Sequence, residues 1–148
     1  MNRSTRFSLA ALIAGALLFG AAANAQERTV NWDAFSKNLV RAIQEGNEGL
    51  QQSAMCMIIR YGDYLHVKDA RFDIVRIFRS NKNPKVRQLA LVTLYKIQDP
   101  WAMYFLSRNI RFEKDEAIKK LNCCIVNAYN AKKEAAKHPE EPLTMSGR

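Results

Sequence analysis

Asn83-Pro84-Lys85-Val86-Arg87-Gln88-Leu89-Ala90 is the stretch that decides the fold. An asparagine oxygen can accept from the free amides of a first helical turn, and a proline directly behind it loses nothing, because its missing N–H would have no helical partner there. Val86, Leu89 and Ala90 then recur at i, i+3 and i+4, so Asn83 opens an amphipathic helix. Two other positions read the same way: Asn47 with Glu48, 36 residues earlier, and Asp115 with Glu116, 32 residues later. In both, an acid sits near the positive end of the helix dipole.

Laid over one another without gaps, the three stretches bring Leu50 onto Val86 and Ile118, Ser53 onto Leu89 and Leu121, and Ile58 onto Leu94 and Val126. Ala54 falls on Ala90, Met57 on Thr93 and Ile125, and Tyr61 on Ile97 and Tyr129, so a broad apolar stripe is repeated. Asn122 breaks it, standing where the other units carry alanine. Carried 16 residues backwards, the register finds a preceding helix in each unit, starting near Asn31, Val67 and Asp99 and superimposing Ala34, Ala70 and Ala102. Asp99-Pro100-Trp101 repeats the cap-then-proline signal, and Asp33 and Asp69 put acid into the other first turns.

Each unit is therefore a helix pair, at about 31–66, 67–98 and 99–130, with four additional residues in the first at Tyr64-Leu65-His66-Val67. A pair of this size cannot cover both of its faces, whereas three in a stack build a continuous core. No segment alternates with period two long enough to argue for a sheet. The expected fold class is all-α, a stack of helix pairs.

The stretch from Asn83 to Ala90 resembles the HEAT-repeat family, in which the second helix of each pair opens with a capped turn, an aliphatic residue and then arginine. Asp115 to Leu121 is similar with Lys119 in the arginine position, and the first unit departs further with Gln51 there. The resemblance covers about residues 31 to 130 and implies a short right-handed α-solenoid of about three antiparallel pairs, a small secreted bacterial-type member that works as a non-catalytic scaffold. It also implies that Arg87 reaches an acid between repeats, Asp99 or Asp69.

Outside the repeats, Arg3 and Arg6 precede an apolar run from Phe7 to Phe19, and Ala23-Asn24-Ala25 offers small residues for cleavage before Gln26. Residues 1–25 are expected to be a secretory signal peptide, leaving a soluble periplasmic or extracellular chain with 26–130 as its repeat domain. The chain of 148 residues carries a formal charge of +9. Losing two arginines with the signal leaves a clearly basic protein. Residues 131–148, with Pro139, Glu140, Glu141 and Pro142, read as a flexible charged tail.

The charge is uneven: residues 67–130 hold 13 Lys and Arg against six Asp and Glu, while 26–66 are close to neutral. Arg76, Arg79 and Lys82 align with Arg108, Arg111 and Lys114 as an i, i+3, i+6 series that occurs twice. Such a face would attract carboxylates or phosphates. With Phe112 as an exposed apolar anchor, these residues form the candidate partner-binding site. The expected partner is an envelope protein with an acidic surface, and the alternative is an anionic lipid or glycan. Nucleic acid is not expected outside the cytoplasm. The other aromatics, among them Trp32, Phe35, Phe72, Phe78, Trp101, Tyr104 and Phe105, are expected in the core.

No catalytic constellation, metal site or cofactor is expected. His66 lies near Asp63 but has no recognisable nucleophile beside it, and Cys56, Cys123 and Cys124 match no zinc spacing. The register puts Cys56 and Cys124 at one position two units apart, on the order of 16–20 Å in a regular stack. A disulfide tolerates only about 4.4–6.8 Å between Cα atoms, so three free thiols in buried or half-buried positions are expected.

Overall fold

The computed structural model describes residues 30–137, so the expected signal segment 1–25 and the tail beyond 137 lie outside the described residues. Those described form six α-helices and no strand: α1 (Trp32–Glu45), α2 (Glu48–Tyr61), α3 (Arg71–Ser80), α4 (Pro84–Ile97), α5 (Pro100–Asn109) and α6 (Glu116–Lys137). Three 3₁₀ turns, Gly62–Tyr64, Lys68–Ala70 and Ile110–Phe112, join them.

The capping residues read from the sequence do the work expected of them. Asn31 Oδ1 accepts from the Ala34 N–H at 2.9 Å, Asn47 Oδ1 from Leu50 at 2.9 Å, and Asn83 Oδ1 from Lys85 at 3.0 Å. Asp99 Oδ1 accepts from Ala102 at 3.0 Å, and Asp115 Oδ1 from both Ala117 and Ile118. Only α3 lacks such a cap, because Val67 and Ala70 have no side-chain acceptor; the chain enters it through the Lys68–Ala70 turn, where Ala70 N–H donates to Val67 O at 3.1 Å. At the other end of α4, Gln98 adopts φ 56°, the one non-glycine residue at positive φ among those described. This left-handed turn costs a residue with a Cβ about 1 kcal/mol, offset by the Gln98 N–H donating to the Leu94 and Tyr95 carbonyls.

Helices pack as hairpins, α1 on α2, α3 on α4 and α5 on α6, while α4 also lies against α2 on one side and α6 on the other. Contacts from α1 to α3 and from α3 to α5 complete a second, looser row. The fully buried side chains come from every helix: Ile43, Met55, Ile58, Ile74, Leu91, Leu94, Met103, Leu106 and Ile118. Each such aliphatic contributes about 1.5–3 kcal/mol by leaving water. Val86 and Ile118 are buried as their register demands, but Leu50 at the same position of the first pair is half exposed.

Buried polar groups are tied to the backbone. Thr93 Oγ1 donates to Leu89 O at 2.8 Å; Ser36 Oγ donates to Trp32 O at 2.7 Å and accepts the His66 N–H at 3.0 Å, which fastens the loop after α2 onto α1. Asn122 Nδ2 donates to Leu106 O at 3.2 Å, joining α6 to α5, and its Oδ1 is buried without a partner.

Three expectations are corrected. α6 continues to Lys137, so residues 131–137 are helical, with residues 130–137 all exposed, instead of beginning a tail at 131. Cys56 and Cys124 are exposed and Cys123 half-buried; all three are free, as the spacing requires, but they do not serve as small core residues. Phe72, Trp101 and Tyr104 are exposed, while Phe78 is buried and Phe35 and Phe105 pack partly against the core. The reason is rotational: in α3 and α5 the aliphatics Ile74, Val75, Ile77, Met103 and Leu106 already fill the inward stripe. Among the described residues no helix is long and apolar enough to cross a membrane.

Candidate interaction surface

The outward sides of α3 and α5 carry the residues that the charge pattern singled out. With Ile74, Val75, Ile77 and Phe78 turned inward on α3, Phe72, Arg76 and Arg79 face out; on α5, burial of Ala102, Met103 and Leu106 leaves Trp101, Tyr104 and Arg108 outside. Arg76, Arg79, Lys82, Arg108, Arg111, Lys114 and Phe112 are all exposed, Phe112 at 67 %. The two basic series do not run along helices to their ends, however. Lys82 lies beyond α3 in the turn before Asn83, Arg111 lies in the 3₁₀ turn, and Lys114 lies in the connection to α6.

Charge pairing engages some cations of the chain and leaves others, among them Lys37, Arg60, Lys68, Lys85 and Lys120 as well as most of the candidate set, without a carboxylate among the described residues. Arg41 pairs with Glu45, Lys96 with Asp63, Lys119 with Glu116 and Lys137 with Glu134. Of the candidate set only Arg76 has a carboxylate, Asp73 Oδ1 at 2.9 Å; among the described residues Arg79, Lys82, Arg108, Arg111 and Lys114 have none within 4.0 Å. Their field is therefore available to an outside anion, subject to a screening length of about 8 Å at physiological salt.

Aromatic rings lie between the arginines, a feature the sequence reading had put in the core. The Arg71 guanidinium sits 4.3 Å from the Phe72 centroid, Phe72 meets Trp101 at 4.6 Å and 63°, Trp101 stacks on Phe105 at 5.8 Å and 22°, and Arg79 lies 5.9 Å from Phe105. The row thus crosses from α3 to α5. Arg111 likewise lies 4.7 Å from the Phe112 centroid. Only the i, i+4 spacing of Trp101 and Phe105 could have signalled any of this in the sequence.

Three shallow depressions open along this side: about 360 Å³ between Phe72, Val75, Arg76, Arg79 and Ser80; about 190 Å³ between Phe78, Arg79, Arg87, Asn109, Phe112 and Glu113; and about 250 Å³ beside Ser107, Arg108, Ile110 and Arg111. Arg79 borders the first two. Beneath the second lies a joint between α3, α4 and the loop before α6. Arg87 Nε donates to Phe78 O at 2.8 Å and its Nη2 pairs with Glu113, whose other oxygen accepts the Lys114 and Asp115 N–H groups. Glu113 is thus the acid that Arg87 reaches. Asp99, one of the two acids expected for it, faces Arg71 at 3.8 Å. Burial alone would push the Glu113 carboxyl up, but the Asp115 N–H, the Arg87 guanidinium and the Lys114 N–H together hold it below its ordinary range.

On another part of the chain a depression of about 280 Å³ is lined by Ile58, Gly62, Leu65, His66, Val67, Lys68, Asp69, Lys96 and Ile97. His66 is not engaged by Asp63 there, since both Asp63 oxygens are held at 2.9 Å by Lys96 Nζ. Among the described residues no three His, Cys, Asp or Glu side chains are grouped as metal ligands. The α3–α5 surface thus carries guanidinium and ammonium groups, most without a carboxylate among the described residues, beside exposed aromatic rings. No protein-family model, curated protein or solved structure matches this chain.

Proposed function

We propose that the chain is a non-enzymatic interaction module of the periplasm or cell envelope, a short HEAT-like solenoid of three helix pairs that binds an acidic protein partner through its basic α3–α5 side. The solenoid reading is supported by packing in which α2, α4 and α6 follow one another in one row and α1, α3 and α5 in another. It is supported too by Arg87 of the second pair reaching Glu113 of the third. Export is supported by the N-terminal sequence pattern, outside the described residues.

The observation that carries the binding reading is the group of five exposed cations, Arg79, Lys82, Arg108, Arg111 and Lys114, that have no carboxylate partner among the described residues. Exposed charges contribute little to folding, so a protein has little structural reason to collect them on one side. Partner recognition gives one, because guanidinium–carboxylate bonds are strong and directional once a partner excludes water.

Reversing Arg76, Arg79, Arg108 and Arg111 to Glu tests this. Cross-linked capture from an envelope fraction, at low and at high salt, is expected to yield a protein partner that the reversed variant no longer holds, with helical circular dichroism unchanged. Capture that survives the reversal refutes the basic-side reading, and a signal confined to anionic vesicles transfers the function to a lipid surface.

A further inference from the structure

We infer that the outward face of α3, beside its aromatic contacts with α5, is a recognition slot for an acidic peptide segment that carries one bulky apolar side chain between its carboxylates. This rests on the basic-side reading and specifies what that side recognises.

The first ground is how the rings are occupied. A nucleobase or a sugar binds an aromatic side chain by lying on its open face. Here one face of Phe72 and one of Trp101 are engaged within the protein: Arg71 covers Phe72 at 4.3 Å and Phe105 stacks on Trp101 at 5.8 Å, while Arg79 approaches Phe105 at 5.9 Å. Phe72 and Trp101 are nevertheless 51 % and 44 % exposed, so both keep apolar ring surface open to solvent. That surface can make apolar contact with an aliphatic or aromatic side chain.

The second ground is the depression beside them. It measures about 360 Å³, has Phe72 and the buried Val75 for apolar wall, and is bordered by Arg76, Arg79 and Ser80. An open, shallow depression of this size suits a single anchoring side chain and does not enclose a small molecule. The third ground is charge. Among the described residues Arg79 has no carboxylate within 4.0 Å, and Arg76 uses only one of its guanidinium N–H groups on Asp73, leaving donors free on both residues. An apolar residue seated between these arginines places the carboxylates of its neighbours, about 3.5 Å per residue along an extended chain, within reach of them.

The test pans a phage-displayed library of random dodecapeptides on the full chain, with a labelled single-stranded oligothymidylate and phosphatidylglycerol vesicles assayed in parallel. Enriched peptides are expected to carry two or more Asp or Glu close to a Leu, Ile, Met or Phe, and to lose binding about tenfold when that apolar residue becomes Ala. Phe72→Ala and Arg79→Glu, at an exposed residue, should each weaken the same peptides by at least about tenfold with circular dichroism unchanged. Acidic peptides that bind regardless of the apolar residue, or that bind both variants as well as the parent, overturn the slot while leaving a charge-only basic side in place. Enrichment of non-acidic peptides, or of none, overturns the slot and counts against the basic-side reading as well. Tighter binding of the oligonucleotide or the vesicles overturns the slot in favour of that ligand.

Discussion

Replacing Arg87 by Met probes the joint on which the orientation of the last helix pair depends. The methionine keeps the apolar stem beside Phe78, whose ring lies 5.3 Å from the guanidinium carbon, and removes only the charged head. Two interactions disappear: the bond from Nε to Phe78 O at 2.8 Å and the ion pair with Glu113. A hydrogen bond from a charged donor contributes about 1.5–3 kcal/mol. Glu113, only 8 % exposed at its side chain, also loses its counter-charge, though the Lys114 and Asp115 N–H groups still hold one of its oxygens. That leaves a further penalty of about 1 kcal/mol, well below the cost of orphaning a fully buried charge. The sum is about 3 kcal/mol, which lowers the melting midpoint of a domain near this size by about 15 °C. Thermal and urea unfolding followed by circular dichroism reads it directly, and a drop of less than about 4 °C would refute the claim that this pair couples the helices. The acid side of the joint gives an independent check. Because the folded Glu113 carboxyl ionises below its unfolded value of 4.5, its contribution is complete above about pH 4.5 and fades as pH falls through the lower folded value. Glu113→Gln retains an oxygen for the two N–H groups and should flatten that part of the acid-stability curve. An unchanged acid slope would place the titration elsewhere.

Asp99→Ala should cost about 2 kcal/mol in urea unfolding, at the top of the range for a lost N-cap, because Asp99 is 8 % exposed and also faces Arg71; an effect no larger than that of Asn47→Ala would show that burial adds nothing there. A methyl group on Gly62 would come 2.7 Å from both Cγ and Cε of Lys96, so Gly62→Ala should destabilise by about 1 kcal/mol and the double variant with Lys96→Ala should recover most of it. Failure of that rescue would mean that the crowding lies with the backbone. Titration with a soluble disulfide reagent should count three thiols per denatured chain, with the exposed Cys56 and Cys124 reacting quickly in the native protein and Cys123 lagging; two missing thiols would contradict the register that keeps Cys56 and Cys124 apart.

Five of the six described helix starts were legible in the sequence because a helix boundary is chemistry within a few residues. The sixth, α3, is expected near Val67 but begins at Arg71, where no side chain caps it. Asn31, Asn47, Asn83, Asp99 and Asp115 each cap within three positions of themselves, and the repeated register placed Val86, Leu94 and Ile118 in the core. The solvent exposure of Arg76, Arg79, Arg108 and Arg111 was equally readable, since long charged side chains are seldom buried without a partner. What tertiary packing decided is which of two apolar residues on one helix faces inward. An aromatic and an aliphatic side chain look alike to a periodicity argument, and the rotation of α3 and α5 against their neighbours put Ile74 and Met103 in the core and left Phe72 and Trp101 outside. The same packing brought Glu113 and not Asp99 to Arg87, across a connection whose path no local rule fixes. Capping depends on bonds spanning three residues and survives any arrangement of the helices; the aromatic–arginine row spans residues 71 to 105 and exists only once two helix pairs have met.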